Sequence, residues 1–259
     1  MKKTDSDLSG HLFIERLMGD IRPVISSPHF AENLKKYTLK KRRTESNLPE
    51  PFAYFHGCFH HAGTLMRVAD RLEQIRFFMR CFPRRKRFEQ RGITQDKWIL
   101  YHYANFVVTF ASAYDIALIL TDYVFRLGIQ YRQCKTETVR ENMWVRATGA
   151  KPALVNIEKL IQPYAQPRHL HVHRGEVPDL ECLDEVELIS FVNLQTTPPP
   201  FHPQILKAAY RGITREIDAT VGKDVLKLRL AIATLFNALL PVYKSKLLTL
   251  PQANLELLE

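Results

Sequence analysis

Glycine is scarce in this chain: 10 residues of 259. Neither a Walker-type phosphate loop nor a dinucleotide-binding Gly-x-Gly-x-x-Gly run occurs, and there is no Gly-x-Ser-x-Gly elbow. These gaps turn the chemistry away from nucleoside-triphosphate hydrolysis, nicotinamide binding and serine-hydrolase catalysis. Alternating β-branched segments are also rare, which, with so few glycines, argues against a sandwich or barrel. The four cysteines, Cys58, Cys81, Cys134 and Cys182, form no Cys-x-x-Cys pair. A zinc ribbon or a thioredoxin-like site is therefore not expected, and scattered thiols suit a reducing cytoplasm. The N-terminal MKKTDSDLSGHLF begins basic but lacks an apolar signal-peptide core.

What is present is a helical pattern on a basic background. Hydrophobic residues make up 46% of the chain, enough for a sizeable core at this length. The formal net charge is +10, which attracts polyanions over long range, nucleic acid foremost. Residues 1–50 are polar and basic and are expected to be an appendage, with Leu48-Pro49-Glu50-Pro51 as a break before a helical domain over 51–250. Within it, spacings of three and four predict helices over 56–82, 96–127, 137–147, 151–165, 180–192, 203–219 and 222–247. Asp96 is the expected N-cap and Gly128 the expected C-cap of the second. Pro163, Pro167 and Pro241 are expected to break or kink their helices.

The helix over 96–127 is apolar nearly all round, so it is central or membrane-embedded. Asn105, Thr109, Ser112, Asp115 and Asp122 fall on one narrow stripe of it, which favours a core helix bordering a polar groove or a dimer seam. No membrane partner is expected. The basic run Arg84-Arg85-Lys86-Arg87 is a solvated loop, with a phosphate backbone as its alternative contact.

The stretch Arg168-His169-Leu170-His171-Val172-His173-Arg174-Gly175 carries the densest chemistry. A guanidinium fork can hold a phosphate, and an imidazole can move a proton near neutral pH. Pro167 suits the first turn of a helix and Gly175 its end, so the stretch is expected on a short helical segment. Arg168 and His173 would then be about 140° apart around the axis, whereas His169 and His173 share a face. Three histidines at alternate positions could ligate a metal in an extended segment, as could His56, Cys58, His60 and His61; polar residues on helices are the expected reading of both groups. No metal or other cofactor is expected.

The run resembles the signature of the HEPN superfamily: Arg, then Asn, Asp or His, then a few residues, then His. Arg168, His169 and His173 fit the three positions, and the resemblance extends over residues 55–245 by helix order. It implies an all-α, HEPN-like bundle of long antiparallel helices that forms a homodimer. It also implies a metal-independent endoribonuclease giving a 2′,3′-cyclic phosphate and a 5′-hydroxyl, used as a toxin or defence effector. RNA is the implied substrate, with an antitoxin or regulatory protein as a further partner. His173 would transfer the proton, Arg168 clamp the phosphate, and His169 orient the site. Asp115 would hold Arg168 or His173, since a lone carboxylate on an apolar helix needs a partner. The resemblance equally admits a non-catalytic module that binds RNA, a nucleotide or a protein. A membrane-associated helical protein is the third reading.

Overall fold

In the computed structural model, residues 8–26, 50–83, 86–198 and 200–250 are described. The regular elements among them are all helical: α1 (Leu12–Ile25), α2 (Glu50–Arg80), α3 (Lys86–Glu89), α4 (Gln95–Phe125), α5 (Met143–Arg146), α6 (Ala150–Arg174), α7 (Glu181–Gln195) and α8 (Pro203–Leu248), with short single turns at Leu8–Gly10, Tyr131–Gln133 and Thr136–Arg140. The fold is all-α. Most of the expected N-terminal appendage, residues 1–7 and 27–49, and Arg84 and Arg85 of the basic run lie outside the described residues.

Several helices depart from the bounds that periodicity suggests: α2 begins at Glu50, through Pro51, and the expected helix over 137–147 is a turn at Thr136–Arg140 followed by the short α5. The expected helix over 151–165 and the short motif segment are one helix, α6, which runs through Pro163 and Pro167. The two prolines are four apart, so the carbonyls they leave unpaired fall on one side of α6, away from the apolar stripe of Leu154, Ile157 and Ile161. Solvent can satisfy them there, and the buried stripe on both sides keeps the helix whole. Likewise the expected pair 203–219 and 222–247 is a single helix, α8, through Gly222 and Pro241. A Cβ on Gly222 would sit 2.6 Å from the Arg76 guanidinium carbon, so that glycine serves close packing rather than a helix end. On α4, Asp96 lies inside the first turn instead of capping it, and the helix ends at Arg126, which takes the left-handed conformation (φ 57°) ahead of Gly128.

The chain divides into two compact units. Of the described residues, those within 1–67, 114–158 and 229–259 form unit 1, and those within 68–113 and 159–228 form unit 2. In unit 1, Phe13, Leu17 and Ile21 of α1 are buried. Phe13 meets the rings of Phe236 and Tyr243 at 5.3 and 5.9 Å. Tyr243 stacks on Tyr54 and donates its hydroxyl to Asp20, 3.0 Å away. The buried face of α1 is thus part of the unit 1 core. Arg140 bridges Glu141 and Glu158, and Lys151 pairs with Glu141.

Unit 1 also holds a histidine group on α2. His56 and His60 stack with centroids 6.3 Å apart, and the His61 ring lies 4.4 Å from that of Tyr123. Burial, with His60 and His56 nearby, brings His61 down from 6.5 to about 4, and burial also lowers His56. A histidine depressed in the folded state binds its proton more readily once unfolded. Stability is therefore full above pH 6.5 and declines as pH falls from there toward about 4. Because His61 is only partly shielded, its share is on the order of 1–2 kcal/mol. His61→Phe should flatten the loss between pH 7 and 4.5 relative to the parent chain, as read from urea midpoints at the two pH values.

In unit 2 the core joins Leu72, Ile75 and Met79 of α2, Ile99, Phe106 and Phe110 of α4, Leu183 and Val186 of α7, and Ile213, Ile217 and Val221 of α8. Tyr164 of α6 lies between Phe106 and Phe110 and donates its hydroxyl to Asp224 at 2.7 Å. Asp218 accepts from Arg76 and Arg80, and Asp96 accepts from Tyr210 at 2.9 Å. On α4, Asn105 and Ser112 turn back to carbonyls of their own helix.

Two helices, Gln95–Phe125 and the Gln204–Leu248 stretch of α8, are long and apolar enough to cross a membrane, with best-window mean hydropathies of 1.5 and 1.6. In α4, 67% of that window is buried against the rest of the chain, as in a core helix.

Candidate functional site

The motif occupies the last two turns of α6, in unit 2. Helical spacing sorts its side chains onto two faces. Gln162, Gln166, His169 and His173 follow at steps of four, three and four, so they form one stripe, and all four are exposed. Ile157, Ile161, Tyr164 and Arg168 follow at the same steps on another stripe, buried as far as Tyr164. Arg168 continues this inward stripe and is half-buried.

The structure therefore brings His169 and His173 together: their ring centroids are 4.7 Å apart, with planes tilted by 47°. It places Arg168 about 140° around the same helix from His173. Asp115 is exposed on α4 and belongs to unit 1, whereas Arg168, His169 and His173 belong to unit 2.

The end of α6 is shaped by Gly175, whose φ of 72° is a left-handed conformation that costs other residues about 1–2 kcal/mol. Its N–H donates to the His171 carbonyl at 3.1 Å, and the Glu176 N–H reaches the Leu170 carbonyl at 3.4 Å. His171 turns out of the pair. Its Nδ1 lies 2.8 Å from the Glu176 carbonyl, and since a carbonyl only accepts, Nδ1 carries the proton and donates it. The reversal at Gly175 sends residues 176–179 back along α6. Between the two strands of chain lies a groove of about 660 Å³, lined among others by Gln162, Gln166, Leu170, Glu176, Val177 and Asp179.

Gln162 and Gln166 thus belong both to the histidine stripe and to the groove wall; His169 and His173 continue that stripe without lining the groove themselves. The two glutamines are functional candidates that motif reasoning missed. The signal was the four-three-four spacing, hidden by treating Pro163 and Pro167 as breaks. No family model, no curated protein and no solved structure matches the chain.

The electrostatics of the groove are mixed. Arg174 is exposed at the C-terminal end of α6, where a cation opposes the partial negative charge of the free carbonyls. Glu176 and Asp179 add negative charge along the wall. Among the described residues, no group of three or more His, Cys, Asp or Glu side chains is placed to hold a metal ion. His56 and His60 share a face of α2, and Cys58 is fully buried with its thiol pushed up to about 12 by burial.

Proposed function

We propose that the chain is an endoribonuclease of HEPN type that cleaves RNA by acid–base chemistry of its own histidines. The observation that carries the reading is the contact of His169 with His173 on an exposed stripe beside a groove. Cleavage at a ribose needs a base to take the 2′-hydroxyl proton and an acid to protonate the departing 5′-oxygen. One neutral and one protonated imidazole, side by side, can supply both transfers to a single phosphate. His173, nearer the open end of α6, takes one transfer, and His169 the other, a larger role than orientation alone.

Guanidinium groups then offset charge on the phosphorane. Arg174 is exposed beside His173, and Arg168 reaches a phosphate on its own side of α6. In a homodimer, the arrangement that catalytic HEPN pairs adopt, Arg168 of one copy serves a phosphate at the other copy's histidines. The Gln162 and Gln166 amides can hydrogen-bond base edges along the groove. The reading places the protein in the cytoplasm, as a toxin or defence effector held in check by a regulatory partner.

A second reading rests on Glu176 and Asp179. Carboxylates in the groove wall and a helix C-terminus both repel phosphate, and Leu170 and Val177 offer apolar contact. These features suit a non-catalytic module whose groove takes a segment of a protein partner. Incubating the protein with 5′-labelled single-stranded RNA at low salt in EDTA separates the two. Catalysis gives fragments ending in 2′,3′-cyclic phosphate, and the binding-module reading gives intact RNA.

A further inference from the structure

A second surface of unit 2 shares no residue with the α6 groove. Between residues 76 and 101 the sequence has eight Lys or Arg residues against two acids, interleaved with six aromatic rings. The fold gathers those rings at the C-terminal end of α2, on α3 and on the first turns of α4. Trp98 is fixed by its indole N–H, which donates to the Phe78 carbonyl at 2.8 Å. Phe82 and Phe88 meet its ring at 6.0 and 5.8 Å. His102 packs against Trp98 at 4.5 Å and stacks on Phe78 with planes 16° apart. Phe77 and Tyr101 extend the array at its two ends.

This array is not closed over by the chain. Phe77, Phe78 and Tyr101 are 54%, 44% and 65% exposed, the kind of open apolar patch that marks an interaction surface. Around them, Lys86, Arg87, Arg91 and Lys97 are exposed cations, with Arg87 seated over the Phe88 ring at 5.3 Å, whereas Arg80 is paired with Asp218. Asp96, the described acid of the segment, is already engaged by Thr94 and Tyr210.

Open ring faces and flanking cations complement one kind of partner: a flexible polyanion whose monomers carry flat apolar groups. We propose that the Phe77–Phe78–Tyr101 face, with Lys86 and Arg87, binds single-stranded nucleic acid, its bases stacking on the rings and its phosphates meeting the cations. A duplex keeps its bases stacked on one another and cannot use the rings. An anionic membrane shares the charge but not the need for ring faces at fixed spacing. The surface is independent of cleavage at α6 and stands or falls without it.

Fluorescence anisotropy with labelled rU12 and dT12 tests the surface on the full chain. The dT12 probe has no 2′-hydroxyl and cannot be cut, so its binding is blind to the α6 chemistry. Phe77→Ala/Tyr101→Ala should weaken binding of at least one probe by about tenfold or more. Lys86→Ala/Arg87→Ala should weaken binding and lower the slope of log affinity against log salt by about 1–1.5. Both variants remove exposed side chains, and their circular dichroism should match the parent. Unchanged affinity for both probes in the ring variant overturns the proposal. So does absence of probe binding by a parent chain that sediments with vesicles of 70% phosphatidylcholine and 30% phosphatidylglycerol.

Discussion

On the proposed function, His173→Ala is expected to lower RNA cleavage at least a hundredfold while leaving the fold unchanged. A positioned proton-transfer group contributes about 10²–10⁴ in rate, and an alanine cannot replace it. The side chain is exposed at the end of α6, so its removal should alter stability by no more than about 0.5 kcal/mol. His169→Ala should show a loss of similar size, because the two rings are in contact on one stripe and, in the proposed reaction, each would serve one transfer. His171→Ala should cleave nearly as well as the parent, since His171 is turned toward the Glu176 carbonyl. The initial rate of cyclic-phosphate formation in EDTA, for the three variants and the parent, checks the order. A His173→Ala chain as active as the parent would remove His173 from the chemistry.

Phe13→Ala is expected to cost about 3–5 kcal/mol, the range for deleting a fully buried phenylalanine side chain. Phe13 has no exposed surface and sits against Phe236 and Tyr243 of α8. Its deletion leaves a cavity beside Tyr243, which also ties to Asp20 and Tyr54. Leu12→Ala, one position earlier and 65% exposed, should cost less than about 0.5 kcal/mol. Urea unfolding of the two variants measures the difference. Equal, small effects would mean that α1 is a dispensable addition to unit 1.

The all-α character was legible from scarce glycine and from apolar spacings of three and four, because those spacings need only local geometry. The helix ends were harder. Pro163, Pro167, Gly222 and Pro241 are local breakers, yet each lies inside a helix whose flanking apolar positions are buried. Tertiary burial over several turns outweighs a single lost hydrogen bond, and sequence spacing does not weigh the two. Burial of Phe13, Leu17 and Ile21 was missed because the surrounding residues 1–50 are so polar and basic overall.

Part of the site could be read in advance. The shared face of His169 and His173 follows from their separation of four, and the angle between Arg168 and His173 from their separation of five. The groove could not, because it depends on how residues 176–179 return after the left-handed turn at Gly175. Nor could the half-burial of Arg168, which follows from continuing the stripe of Ile161 and Tyr164 through Pro167.

The most direct test follows the histidine ring signals by ¹H–¹³C correlation spectra while a 2′-O-methyl oligoribonucleotide, which binds but cannot be cut, is added. His169→Ala and His173→Ala assign the two resonances. The account predicts that both move together and saturate with one binding curve, with His56 and His61 unchanged. Saturating RNA that leaves the His169 and His173 signals in place, in a preparation that cuts unmodified RNA, would contradict it.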